Sequence, residues 1–136
     1  MISTKLKNIF SVSIILFIAH GVEEFFTGFY NIDKSFLLTV GKISNNLPLV
    51  FILYQIVLWL LLLLAYFFIK KNKWVLPISI TLTVFMILEL QHLYETLITG
   101  KYYPGTYTAV IFPVIAFLFC KELFKNYGLH RHENNR

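Results

Sequence analysis

Apolar residues fall in four long blocks separated by shorter polar stretches: Ile9–Thr27, Leu47–Ile69, Trp74–Ile98 and Pro104–Phe124. Each block runs 19–25 residues, which at 1.5 Å per residue crosses a hydrocarbon layer of about 30 Å. Pro48 and Pro104 suit the first turn of their helices, where no backbone N–H is needed. Pro77 falls in the first turn of the third helix, and Gly100 supplies its C-terminal stop. Pro113 is interior and predicts a kink in the fourth. The pattern predicts an all-α fold, an integral membrane four-helix bundle over residues 1–128, followed by a polar C-terminal tail at 129–136. The connections Lys70–Lys73 and Thr99–Tyr103 are short, so consecutive helices are expected as antiparallel neighbours. The connection Gly28–Asn46 is longer and holds an apolar patch, Phe36–Val40. A short interfacial helix is expected there, either a lid or a plain linker.

Composition agrees: 57% of the 136 residues are hydrophobic and 14% charged, against about 25% charged in a soluble domain. The net charge of +5 reads as a topology signal and not as affinity for nucleic acid. Nine Lys and Arg (Lys5, Lys7, Lys70, Lys71, Lys73, Lys121, Lys125, Arg131, Arg136) fall on one side of the bundle and three (Lys34, Lys42, Lys101) on the other. This predicts both termini in the cytoplasm of a cell with a multi-pass cell-membrane protein. Lys5 and Lys7 followed by Ile9–Ala19 mimic a signal peptide, but the apolar run continues through Phe25, Phe26 and Phe29, so cleavage is not expected. The lone Cys120 permits no internal disulfide and reads as a packing residue near the cytoplasmic end. His130 and His132 read as part of a solvated tail.

The ionisable residues change the picture from anchor to site. Four of the seven acidic residues, Glu23, Glu24, Glu89 and Glu95, lie inside the apolar blocks, accompanied by His20 and His92. A single charge at a bilayer centre costs roughly 2.5–3.5 kcal/mol even on the most lenient scale. Spacings of three and four place His20, Glu23, Glu24 and Thr27 on one face of the first helix, and Glu89, His92 and Glu95 on one side of the third. His20 and His92 each fall about 9–11 Å below the outer end of their helices, and Tyr54 and Gln55 of the second helix about 11–12 Å below it. Thr106, Tyr107 and Thr108 of the fourth lie somewhat shallower. Polar groups from all four helices are therefore expected to meet in the outer half. Four carboxylates and two neutral histidines are the ligand set of bundle-core di-metal carboxylate proteins, and Glu89-Leu-Gln-His92 has their Glu-x-x-His spacing. Two divalent cations would cancel four negative charges, and a single ion held by His20, Glu23 or Glu24, His92 and Glu95 is equally feasible. Zinc suits such a nitrogen–oxygen set, and iron and manganese suit it too. The alternative is a metal-free network of protonated glutamates bonded to His, Tyr54, Gln55 and Thr27. The Glu pair lacks the following Arg of glutamate intramembrane proteases.

His20-Gly-Val-Glu23-Glu24 resembles the signature of the HXXEE-motif family of small bacterial integral membrane proteins, whose function is not established. The Glu89–His92–Glu95 segment, Tyr103-Pro104-Gly105 and Thr108-Ala109 extend the resemblance over roughly residues 9–125. It implies four helices and a polar site but no reaction. The expectation is a metal-dependent membrane enzyme acting on a lipid-like or membrane-embedded substrate, with His20, His92 and some of Glu23, Glu24, Glu89 and Glu95 on the metal. A remaining glutamate, Glu24 or Glu95, would serve as general base. A transporter or binding protein using the carboxylates for protons or cations, or a structural partner subunit, stands as the alternative.

Overall fold

A computed structural model of the chain describes residues 2–40, 42 and 44–133, with side chains as far as Tyr127. Its elements are helices α1 (Thr4–Thr27), α2 (Phe29–Ile32), α3 (Lys34–Thr39), α4 (Leu47–Lys70), α5 (Val75–Leu88), α6 (Leu90–Thr99), α7 (Thr106–Ala109) and α8 (Phe112–Glu133). Four stretches are long and apolar enough to span a membrane: Thr4–Thr27, Leu47–Lys70, Val75–Thr99 and Thr106–Tyr127.

The first helix starts five residues before the apolar block because Ser3 caps it, its hydroxyl accepting from the Leu6 N–H at 3.1 Å. Asn46 caps α4 in the same way, with Pro48 in the first turn. Gly28 and Gly100 close α1 and α6 in the left-handed region, at φ 78° and 63°. The third span is not one uninterrupted helix. It breaks at Glu89 between α5 and α6, where the His92 N–H donates to the Glu89 carbonyl at 3.2 Å, a tightened turn three residues apart. The fourth span begins at Thr106 and not at Pro104, which lies in the preceding turn. It then breaks between α7 and α8, because Pro113 has no N–H to offer the Ala109 carbonyl and its ring crowds that group. Past Phe124, α8 runs on to Glu133 into the segment expected as a polar tail, and the side chains of His130 and His132 lie outside the described residues.

Helix α1 is the centre of the bundle: it packs on α4 along one side and α8 along another, while α5 packs on α8. Helices α4 and α5 touch more sparingly, and an open cleft of about 310 Å³ separates them. The main core lies toward the Lys70–Lys73 end and holds Leu6, Phe10, Phe17, Met86, Phe112 and Phe119. A second, smaller core of Phe29, Phe36 and Phe51 ties the 28–46 connection to the start of α4. The apolar patch at Phe36 is thus a packed cap of two short helices. Phe51 is its keystone, 1% exposed and with ring centroids 5.6–6.4 Å from those of Phe25, Phe29, Tyr30 and Phe36. Phe51→Ala is expected to lower stability by about 3–5 kcal/mol. In detergent this reads as a reduced melting temperature, with faster proteolysis between residues 34 and 46 as the local signature.

Candidate metal centre

Helix periodicity places His20 and Glu24 one turn apart on the inner face of α1, where they are 3% and 5% exposed. Glu89 and His92 reach the same point from the α5–α6 break. The Oε2 atom of Glu89 lies 2.9 Å from His20 Nε2 and 3.1 Å from His92 Nε2. Glu24 Oε1 faces the same two nitrogens at 3.6 and 3.5 Å. Ligand atoms of His20, Glu89 and His92 all fall within 4.8 Å of one another, so these three residues could hold a metal ion. The two imidazoles meet edge-on, with centroids 4.8 Å apart.

The partners on the far side of each ring fix where its proton sits. His92 Nδ1 is 2.6 Å from the Pro104 carbonyl oxygen. A carbonyl only accepts, so Nδ1 carries the hydrogen, and Nε2 is the ring atom turned to the carboxylates. His20 Nδ1 is 2.7 Å from the Thr108 hydroxyl, which donates its single hydrogen to Glu23 Oε2 at 2.6 Å. The hydroxyl must then accept from His20, whose Nε2, like that of His92, is left to face the carboxylates of Glu24 and Glu89. His20 Nε2 is buried without a hydrogen-bond partner, despite its short approach to Glu89. Buried polar atoms are seldom left so.

Glu23 stands one layer further out. Besides Thr108 Oγ1, it accepts from the Thr108 N–H at 2.9 Å, the Tyr107 N–H at 3.0 Å and the Tyr102 hydroxyl at 2.6 Å. Burial and the bond to Glu23 push the Tyr102 phenol up to about 12, so it remains a donor at neutral pH. Gln55, buried on α4, donates to Glu24 Oε2 at 3.0 Å and orients that carboxylate. Phe29 and Tyr103 close over His92 with ring centroids 5.5 Å away, and the Tyr103 hydroxyl donates to the buried Asp33 at 2.8 Å. Burial and Asp33 together raise the Tyr103 pKa above that of an ordinary phenol.

Two glycines permit this packing. A Cβ at Gly105 would sit 2.7 Å from His20 Cε1 and 3.0 Å from His92 Nδ1, and its φ of +88° disfavours any side chain. A Cβ at Gly21 would lie 2.6 Å from Gln55 Oε1.

Of the six residues the sequence marks as ligands, the structure joins His20, Glu89 and His92, with Glu24 against them. It keeps two apart. Glu23 is turned toward the first turn of α7, as its position beside Glu24 on a helix would require: neighbouring residues point about 100° apart. Glu95 lies one helical turn past His92 and lines a separate polar pocket with Asp33, Lys34 and Gln91. The expected Thr27 hydroxyl bonds back to the Glu23 carbonyl instead of joining the cluster. Tyr54 lines the site cavity without a bond to the carboxylates, whereas Gln55 makes one. Thr108 bridging His20 and Glu23, the Pro104 carbonyl, Gly105 and Asp33 are roles that spacing does not reveal. The Pro104-Gly105 pair signals only a turn.

The donor set fits one divalent cation. Two neutral imidazoles with ionised Glu24 and Glu89 would sum to −2, and the lysine–carboxylate pair among the described residues, Lys5 with Glu122 at 3.8 Å, is at the opposite end. Outer hydrogen bonds from the non-ligating nitrogen to a carbonyl or carboxylate system are what metal-bound histidines use. Thr108→Val, which removes the hydroxyl between His20 and Glu23, is expected to weaken metal binding roughly 10–100-fold in a chelator competition, with helical circular dichroism unchanged. Gly105→Ala is expected to abolish stoichiometric binding, since both rings must move.

No curated protein and no solved structure matches the chain. The family described as "Protein of unknown function with HXXEE motif" matches residues 11–119. That match covers most of the chain and includes His20, Glu24, Glu89 and His92, so the chain is a member of the HXXEE-motif family.

Proposed function

We propose that this is an integral membrane metalloenzyme with one divalent ion held by His20, Glu89 and His92, and with Glu24 as the adjacent carboxylate. The observation that carries the reading is the pair of imidazoles that each engage an oxygen outside the cluster through Nδ1 and turn Nε2 to the buried Glu24 and the half-buried Glu89. Protons alone could relieve the repulsion among these acceptors, but the outer bonds of both rings favour a cation at Nε2. Two histidines, a glutamate and one further position form the ligand set of catalytic zinc sites, and two histidines with one carboxylate also suit iron. Such an ion supplies Lewis acidity, or a water activated near neutral pH.

The residues around the set define their own roles. Glu24 is oriented by Gln55 and borders a cavity of about 120 Å³ next to the histidines, where it is placed to take a proton from a bound group. Glu23, through Thr108, makes His20 a stronger donor to the metal. Phe17, Phe29, Phe51 and Leu58 line the same cavity and limit water around the reacting groups. The bilayer setting is supported by α4, whose Leu53, Val57, Leu60, Leu61, Leu64 and Phe67 are exposed over most of its length. An exposed apolar surface of that extent requires lipid or protein to cover it. With both termini in the cytoplasm the site faces outward. The inner half is lined by apolar residues such as Phe10, Leu62, Met86 and Phe119, with no charged path among the described residues, which favours catalysis at a fixed ion over its passage across the membrane.

Purified wild-type protein is expected to carry one zinc or iron per chain by elemental analysis, His20→Ala, His92→Ala and Glu89→Gln to carry less than a tenth of that, and Glu95→Gln to keep all of it. A folded wild type without stoichiometric metal after metal supplementation, or histidine variants with unchanged content, would sink the reading.

A further inference from the structure

The cleft between α4 and α5 is not an isolated groove. Its walls are Leu58, Leu61, Leu62 and Ala65 on one side and Pro77, Ile78, Thr81 and Leu82 on the other, with Phe10 and Phe17 of α1 as the floor. Phe17 and Leu58 also line the cavity that holds His20, Glu24, Glu89 and His92. The two spaces therefore share a wall residue on α1 and another on α4, and from Pro77 to Glu89 the α5 wall extends about 18 Å at 1.5 Å per residue. One end is a cluster of oxygen and nitrogen ligands; the rest is apolar apart from Thr81. At the other side of the histidines a separate polar pocket of about 260 Å³, with Asp33, Glu95 and Lys34, shares Gln91 with the site cavity.

We infer that the substrate is a single-chain amphiphile whose apolar tail lies in the α4–α5 cleft and whose oxygen-bearing head sits at the His20–Glu89–His92 site. This rests on the metal-site reading above. The amphipathic profile of the space matches that occupant end for end. The floor residues Phe10 and Phe17 are 0% and 3% exposed, a narrow base that suits a single hydrocarbon chain better than a second copy's helix, about 10–12 Å across with its side chains. Entrance is sideways from the lipid layer, since Leu61, Trp74 and Phe85 on the cleft's rim are exposed. The polar pocket serves the head from the opposite side.

The test uses full-length protein in phosphatidylcholine nanodiscs with a palmitic acid carrying a diazirine midway along its chain. Photolabelling mapped by mass spectrometry is expected to concentrate at least tenfold on cleft residues such as Leu58, Leu62 and Leu82 over Val114 and Phe117, which are exposed on α8. The cleft-filling variants Ala65→Trp and Thr81→Trp are expected to retain full metal content and lose at least nine-tenths of that labelling. Equal labelling of α8, or cleft labelling undiminished in metal-loaded filled variants, overturns the proposal, the first as general lipid contact. Crosslinks joining two chains along α4 and α5 also overturn it, in favour of a dimer face. Loss of metal from the wild type with cleft labelling intact would instead count against the metal reading alone.

Discussion

Everything at the upper end of the bundle depends on the hydrogen on one nitrogen of each imidazole. The Pro104 carbonyl takes the Nδ1 hydrogen of His92, and the Thr108 hydroxyl, itself spent on Glu23, takes that of His20. With both Nδ1 atoms so engaged, both Nε2 atoms face two carboxylates in a region largely shielded from water, where a polar atom without a partner is costly. The packing is organised to sustain the confrontation. Gly105 lets a backbone turn come against both rings, Gln55 steers Glu24, and the Phe29–Phe36–Phe51 cap excludes solvent above. Removing one carboxylate changes the balance of the whole set, so these residues act as a unit rather than as separable ligands.

The sequence made the spans and the depth of the polar cluster legible because both follow from arithmetic along a helix. Apolar length gives the span, and a rise of 1.5 Å per residue aligns His20 with His92 and Gln55. The division between inner ligands and outer supports was harder to see. Glu23 and Glu24 are adjacent and chemically alike, yet one points to the histidines and the other to α7, and that difference depends on how α1 is rotated against its neighbours. Likewise Glu95 keeps the spacing of Glu89 and His92, but the break at Glu89 alters how the short α6 presents its face. The two breaks have different visibility: Pro113 announces the one before α8, whereas nothing in the sequence at Glu89 announces the other. Carbonyl and amide roles, such as those of Pro104 and Tyr107, carry no side-chain signature at all.

Polar order continues at the opposite end in a purely architectural form. Ser3, Glu122, Asn126 and Lys5 join the start of α1 to the last span: the Ser3 hydroxyl donates to Glu122 at 2.8 Å and the Ser3 N–H to Asn126 at 2.8 Å. Pinned there, α1 cannot slide along α8 without breaking this clasp, and such a slide would also pull His20 from Thr108. The distant clasp and the His20–Thr108–Glu23 bonds thus hold the same helix register from two ends.

The central position of α1 bears on how the chain is made. In chain order α1 precedes α4, so His20, Glu23 and Glu24 are made before Gln55, Glu89, His92 and Thr108. The helix that follows, α4, has a mean hydropathy of 2.6 against 1.7 for α1 and is suited to partition on its own. It also brings Gln55, the first available partner for Glu24. Glu24 gains the Gln55 amide only when α4 packs on α1, and the histidine pair is complete only when the third span docks as well. The site is thus the product of the whole bundle, each half of it left without partners until the helices have met.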